Sequence, residues 1–389
     1  MKKEIDLKVE IIRILCCFLV ICYHIRPQVV VNGEIKESVV FVEAICSICV
    51  NTFFILSGFF IYENKNNLLI SFIHVFKNFI KNIFIPFLFV AFLSFVFNDA
   101  FFFKKSAIDC IKDMDIQAII KEMGVGIRYL IVYTWPLSTA HLWYVFAYAF
   151  LILFYPITKL ILKYFDKKIT YIVVILLLLV WIVFDIIVYY FKFEDNYYLN
   201  LVPKVITFSM IGRILYNDFI KKYLLANDND KSISKNNRLL IISILLYIIT
   251  IVALFLLQIS YLKNVNGFYV YTSYNSFLAL VESVLVIIII YNLNFMNYIN
   301  DKTKHIVKIV SDATYGIYLV HWSILIVLAS SGIQGMFFMK MTNMFTNILY
   351  YIVFGGLVFS ISLLIVSFVK LIKNTLMRGV IYVKKKRLH

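Results

Sequence analysis

The chain has 389 residues, of which 62% are hydrophobic and 15% are charged, and its formal net charge is +16. Soluble domains contain about 45–50% apolar residues, so this composition excludes an ordinary water-soluble globular protein. The apolar runs are about 20 residues long and do not alternate with polar residues, which excludes a β-barrel and predicts an all-α, polytopic transmembrane helical bundle.

About ten membrane spans are predicted along the chain. They are residues 8–26, 39–61, 80–98, 141–162, 169–191, 202–217, 238–259, 274–294, 307–330 and 346–370. Most lysines and arginines outside these spans fall in alternate connections, as they do in cytoplasmic loops. We therefore expect both termini in the cytoplasm and a single integral membrane domain over residues 1–389. The heavy use of Ile, Asn, Lys, Phe and Tyr indicates an AT-rich bacterial genome, so we expect a multi-pass protein of a bacterial plasma membrane.

Two long connections carry further expectations. Residues 116–135 are amphipathic and predict an interfacial helix on the outer surface. Residues 218–238 are polar and predict a flexible cytoplasmic connection. The positive charge is explained by topology, so no nucleic-acid partner is expected, and the Cys and His spacing does not favour a metal site.

Arg13 and His24 lie within the first apolar run, with ten residues between them. Eleven helical steps bring the two side chains to nearly the same face, separated by about 16 Å along the axis. A charged or titratable residue inside a membrane span is expensive and is a functional candidate by default.

His24 is a candidate general base, because an ordinary imidazole can accept a proton from a hydroxyl near neutral pH. Glu43 lies early in the second span, at a similar outer depth, and is a candidate to orient the ring. The alternative is an interfacial histidine that is simply hydrogen-bonded at its helix end.

Arg13 is suited to bind a phosphate or a polarised carbonyl. The alternative is a structural role, in which the guanidinium only holds helices together. Lys77 and Lys81 lie four residues apart, on one face, in the connection before the third span. With Arg13 they would form a basic path; the alternative is that they are ordinary topology signals.

Three further segments carry polar or small residues at span positions. In the second span, Ser57-Gly58 permits close approach of another helix or a ligand. His141-Leu142-Trp143-Tyr144 begins the fourth span, and Tyr318 and His321 share one face of the ninth. The chain contains no P-loop, Rossmann fingerprint or zinc-hydrolase motif, which weakens ATP-driven, redox and zinc-hydrolase functions.

Taken in order, these motifs resemble those of the acyltransferase 3 family of integral membrane acyltransferases. The matching segments are Arg13-x10-His24, Phe53-Phe54-x-Leu56-Ser57-Gly58-Phe59, the basic residues before Ile85-Pro86, His141-Leu142-Trp143-Tyr144, and Ser311-x-x-Thr314-Tyr315-Gly316-Ile317-Tyr318-x-x-His321. Lysines stand at positions 77 and 81, where many members have arginines.

The resemblance implies an O-acyltransferase that moves an acyl group, usually acetyl, from cytoplasmic acyl-coenzyme A to a hydroxyl of a cell-surface carbohydrate. No permanently bound cofactor is expected, since acyl-coenzyme A is a co-substrate. His24, Arg13 and Glu43 are the expected catalytic residues. Arg13, Lys77, Lys81 and Ser57 are expected to bind the donor. The expected acceptor-binding residues are His141, Trp143, Tyr144, Tyr318 and His321.

Two other classes of function stay open on the sequence. One is a translocase that exports a growing polysaccharide along the same polar stripe, and the other is a sensor or scaffold with a degenerate site. Within the spans, Glu282 and Asp185 are possible partners of Lys204 or Arg213, and the sequence does not choose between them.

Overall fold

A computed structural model of the chain describes residues 7–26, 30–31, 34–62, 67–91, 93, 143–191, 201–224, 231–264, 276–293, 298–334 and 343–386. These residues are almost entirely helical. The helices are α1 (Leu7–His24), α2 (Glu37–Cys46), α3 (Ile48–Ile61), α4 (Leu68–Phe79), α5 (Trp143–Tyr164), α6 (Lys167–Phe191), α7 (Leu201–Ile214), α8 (Lys231–Asn264), α9 (Phe277–Asn292), α10 (Asp301–Ser330) and α11 (Met344–Lys386). Two short strands, β1 (Val30–Val31) and β2 (Glu34–Ile35), pair antiparallel after α1.

Six helical segments in the described part are long and apolar enough to cross a membrane. They are Glu37–Ile61, Leu68–Ala91, Trp143–Tyr164, Asn237–Ser260, Asp301–Ser330 and Met344–Lys373. The all-α transmembrane class is therefore confirmed. The number of ten crossings and the cytoplasmic position of both termini stay predictions.

Residues 1–42 and 295–389 form one compact unit, which we call the first unit. Its helices α1, α10 and α11 pack on one another. Residues 43–294 form the second unit, in which α3 contacts α7 and α9, and α5 contacts α4 and α7.

The helix predicted to begin at residue 80 begins instead at Leu68 and runs to Ala91. Apolar residues recur at helical spacing between Leu68 and Phe79, and Phe79 is buried while His74 and Lys77 are exposed. An amphipathic stretch of this kind forms a helix without being a full membrane span. Lys77 and Lys81 therefore lie on a helix rather than on a loop.

The connection over residues 218–238 is also more ordered than predicted. A π-helix continues α7 over Leu215–Leu224, and α8 begins at Lys231. The predicted interfacial helix at 116–135 lies outside the described residues.

Gly58 and Gly212 allow α3 and α7 to touch backbone to backbone. A Cβ placed on Gly58 would overlap the carbonyl oxygen of Ser209, and one on Gly212 would overlap that of Ile55. The close approach predicted at Ser57-Gly58 is thus made by another helix. Small residues at such contacts are typical of membrane helix pairs.

Candidate active site

The charged end of α1 is organised by Glu10. Its carboxylate pairs with Arg13, with 3.1 Å between Oε2 and Nη1, and also accepts a hydrogen bond from the Ser311 hydroxyl of α10. Ser311 is fully buried, whereas the Arg13 side chain keeps about a third of its surface exposed. One carboxylate therefore fixes both the guanidinium and the register of the two helices.

The other end of α1 carries a cluster of rings. The centroid of the His24 ring lies 5.3 Å from that of His321 and 5.2 Å from that of Trp322, both on α10. His321 is fully buried, and its Nδ1 lies 2.7 Å from the carbonyl oxygen of Tyr318. A proton on Nδ1 satisfies this contact, which leaves Nε2 of that tautomer as a proton acceptor.

Helices α1 and α10 run parallel through the first unit. Glu10 contacts Ser311, the Cys17 thiol donates to the carbonyl oxygen of Thr314 at 3.5 Å, and the His24 ring lies beside that of His321. Both ends of the predicted Arg13–His24 stripe thus lie along the same neighbouring helix. Parallel packing is also what the first and ninth predicted spans require, since both would cross the membrane in one direction.

Helix α11 holds the histidine end of α1 in place. The Tyr350 hydroxyl donates to the carbonyl oxygen of Ile25 at 2.9 Å, and the Cys22 thiol reaches that of Tyr351 at 3.9 Å. At the opposite end of the unit, the Lys370 ammonium donates to the carbonyl oxygen of Asp312 at 2.8 Å. The start of α11 thus contacts the histidine end of α1, and Lys370, later in α11, contacts the opposite end of α10, so α11 runs antiparallel to both helices.

The donor residues predicted in the second unit are spread over two helices. The Ser57 hydroxyl donates to the carbonyl oxygen of Phe53, within its own helix, at 2.8 Å. Lys77 and Lys81 are both exposed on α4 and its π-helical continuation. Their roles in donor binding stay predictions.

The predicted acceptor residues fall into two groups. Tyr318 and His321 lie on α10, with ring centroids 5.9 Å apart, next to His24. In the second unit, Trp143 is buried and the Tyr144 ring lies 4.8 Å from that of Phe54. His141 lies outside the described residues.

Several polar residues of the second unit have well-defined surroundings. Glu43 is buried in α2, and its pairing with His24 stays a prediction. Glu282 accepts a hydrogen bond from Ser47 at 2.8 Å, and the Lys204 ammonium lies 4.6 Å from the centroid of the Trp181 ring. The Asp185 side chain lies outside the described residues.

Two features of the structure are missing from the predicted site. Glu10 has a sequence signal in its i, i+3 spacing from Arg13, which is the spacing of a helical ion pair. The second feature is a cavity of about 690 Å³ in the second unit, whose basic lining includes Lys163, Lys167 and Arg213. Arg213 lies far along the sequence from Lys163 and Lys167, so no local pattern predicts that the three residues line one cavity.

Comparison with known proteins gives one match. The family model described as an acyltransferase domain, that of the acyltransferase 3 family, matches residues 6–367. The match covers nearly the whole chain, and the chain belongs to this family. Neither the search of curated proteins nor that of solved structures finds a match.

Proposed function

We propose that the protein transfers an acyl group, acetyl in the first instance, from cytoplasmic acyl-coenzyme A to a hydroxyl of a cell-surface carbohydrate. Family membership supports acyl transfer in a membrane. We add to this the identity of the donor and of the acceptor, and the bacterial plasma membrane as the location of the protein.

The observation that carries the proposal is the composition of the two ends of the α1–α10 pair. One end presents a guanidinium that is partly exposed, and the other a cluster of two imidazoles and an indole. The helical rise separates Arg13 from His24 by about 16 Å, which is of the order of a pantetheine arm. In this proposal Lys77, Lys81 and Arg13 hold the phosphates or the pantetheine arm of the donor, whose thioester is then presented near His24.

His24 acts as the general base in this proposal. It accepts the proton of the acceptor hydroxyl while the hydroxyl oxygen attacks the thioester carbonyl carbon. The carbon–sulfur bond then breaks, an ester is formed, and the coenzyme A thiolate leaves and takes up a proton. Tyr318 and His321 would contact the acceptor, and Glu43 would orient the base.

Replacement of His24 by alanine tests the proposal. We expect His24→Ala to lower acyl transfer in isolated membranes by at least about 10²-fold, the usual contribution of a general base. His305→Ala is the matched control, because His305 is exposed near the start of the same helix α10 that carries His321. The readout is ester formation on the host's surface polymer, with protein abundance measured in the same membranes.

Two outcomes would contradict the assignment. Full activity of His24→Ala beside an inactive Arg13→Ala would remove His24 as the base. Intracellular accumulation of unmodified polymer after deletion of the protein would indicate a translocase instead of an enzyme.

A further inference from the structure

The basic cavity of the second unit lies where three separate connections meet. Its wall includes Tyr62 at the end of α3, the α5–α6 corner, and the π-helix Leu215–Leu224. Each of these segments adjoins a connection that the distribution of lysine and arginine predicts to be cytoplasmic. The volume of about 690 Å³ falls within the range of small-molecule sites.

The lining is strongly cationic. Among the described residues that line the cavity, one is a carboxylate, Asp218, and five are basic. The basic residues are Lys159, Lys163, Lys167, Arg213 and Lys221. Such a concentration of one charge focuses the local potential and attracts anions.

The carboxylate in the wall is already engaged. Asp218 pairs with the Lys167 ammonium and accepts a hydrogen bond from the Tyr171 hydroxyl at 2.9 Å. The Asp218 hydrogen bond raises the pKa of Lys167, so this lysine stays protonated over the physiological range. Since its single carboxylate is paired with a cation, the described wall does not favour a bound metal ion.

The deeper cations are held by neutral oxygens. The Lys159 ammonium donates to the Ser71 hydroxyl at 2.6 Å, and Arg213 donates to the carbonyl oxygen of Phe59 at 3.0 Å. Lys159 is buried, whereas Lys163, Lys167 and Lys221 are exposed at the rim. The cavity thus has fixed cations at its base and long, adjustable cations at its opening, and the π-helix in its wall is of a type often found at functional sites.

We propose that this cavity binds the phosphate groups of a phosphate-bearing anion from the cytoplasm. Lysine and arginine are the side chains that bind phosphate in proteins, and the two kinds are combined here. The anion is either a soluble nucleotide-type ligand, such as the nucleotide end of coenzyme A, or the headgroup of an anionic lipid. In the first case the inference rests on the proposed function. It assigns the donor's phosphates to this cavity instead of Lys77, Lys81 and Arg13, and leaves the pantetheine arm to Arg13.

The test uses the full-length protein in nanodiscs of zwitterionic lipid. Coenzyme A and inorganic pyrophosphate are titrated separately, and we expect the double variant Lys163→Ala, Lys167→Ala to weaken binding at least tenfold. The matched control is Lys168→Ala, which removes a neighbouring exposed lysine that does not line the cavity. Thermal unfolding of each variant verifies that it is folded.

A variant that is expected to tighten binding strengthens the test. Asp218→Asn removes the carboxylate from the wall, so we expect it to tighten binding of the same anions several-fold. Binding of both probes that is unchanged by the double variant and by Asp218→Asn would overturn the soluble-ligand form of the proposal.

A parallel arm distinguishes the lipid source. The protein is placed in nanodiscs that contain phosphatidylglycerol and is then purified. If the cavity binds a lipid headgroup, we expect the protein and its Lys168→Ala variant to retain this lipid and the double variant to lose it. Failure of this arm together with the soluble probes overturns the proposal. Because binding is measured without acyl transfer, intracellular accumulation of unmodified polymer after deletion of the protein would overturn the proposed function and leave this binding result standing.

Discussion

At the level of single residues, the polar contact between α1 and α10 depends on Glu10. Its carboxylate meets a buried hydroxyl on one side and a partly exposed guanidinium on the other. A hydrogen bond to a charged group contributes about 1.5–3 kcal/mol, whereas a partly exposed ion pair contributes about 0.2–1 kcal/mol. The contact with Ser311 should therefore outweigh the contact with Arg13 in stability.

This ranking can be measured by replacing each partner of Glu10. We expect Ser311→Ala to lower the free energy of unfolding in detergent by about 1–3 kcal/mol, because a half-buried carboxylate loses a hydrogen-bond donor. Arg13→Met should cost less than about 1 kcal/mol. Unfolding by denaturant, followed by circular dichroism, gives both values, and the reverse order would contradict the ranking.

Residues that share one helix were predictable, and residues that meet between helices were not. The helical repeat alone places Arg13 and His24 on one stripe and Tyr318 beside His321. The contact of His24 with His321 depends on how α1 and α10 pack, and one sequence holds no signal for the packing of helices about 300 residues apart in the chain. The same reason explains why the basic cavity was missed.

At the level of helices, the contact of α3 with α7 depends on the absence of two side chains. Neither Gly58 nor Gly212 has room for a Cβ, and the obstacle in each case is backbone rather than a flexible side chain. The helices would have to move apart to accept any larger residue. Overpacking typically costs about 1–3 kcal/mol even where side chains can adjust.

We accordingly expect Gly58→Ala to lower the free energy of unfolding by about 3 kcal/mol or more. Gly356→Ala in α11 is the control, since a Cβ there meets no atom within 4 Å. Alanine is the better helix former by about 1 kcal/mol, so the control should be neutral or slightly stabilising. Equal losses in the two variants, measured by thermal unfolding in detergent, would argue against the close contact.

Helix boundaries were the weakest predictions, for a physical reason. The sequence was divided by runs of apolar residues, which mark where a helix can lie in lipid rather than where it begins. At α4 the amphipathic residues Leu68–Phe79 extend the helix ahead of its apolar part. Charged residues near Lys231 did not prevent α8 from beginning there either.

At the level of the whole molecule, the class of fold was set by composition and is confirmed by the six long apolar helices of the described part. The orientation of the chain depends on loop charge and on the parity of the spans. An even number of membrane crossings, with the excess of lysine and arginine in the cytoplasmic loops, predicts that both termini lie in the cytoplasm.

Topology can be measured with reporters fused to each end of the chain. A fluorescent protein that folds only in the cytoplasm should be bright at both termini, whereas alkaline phosphatase, active only outside, should be inactive at both. A fusion within the predicted outer connection near residue 116 is the positive control for the second reporter. Opposite results at the two termini would mean an odd number of crossings.

The first unit joins segments from the beginning and the end of the chain, with residues 43–294 between them. During synthesis, α1 leaves the ribosome long before α10 exists, so His24 has no His321 beside it until α10 has been synthesised. A nascent or prematurely terminated polypeptide would carry the histidine without its surroundings. If the proposed function is correct, a polypeptide that ends before α10 would therefore lack part of the site.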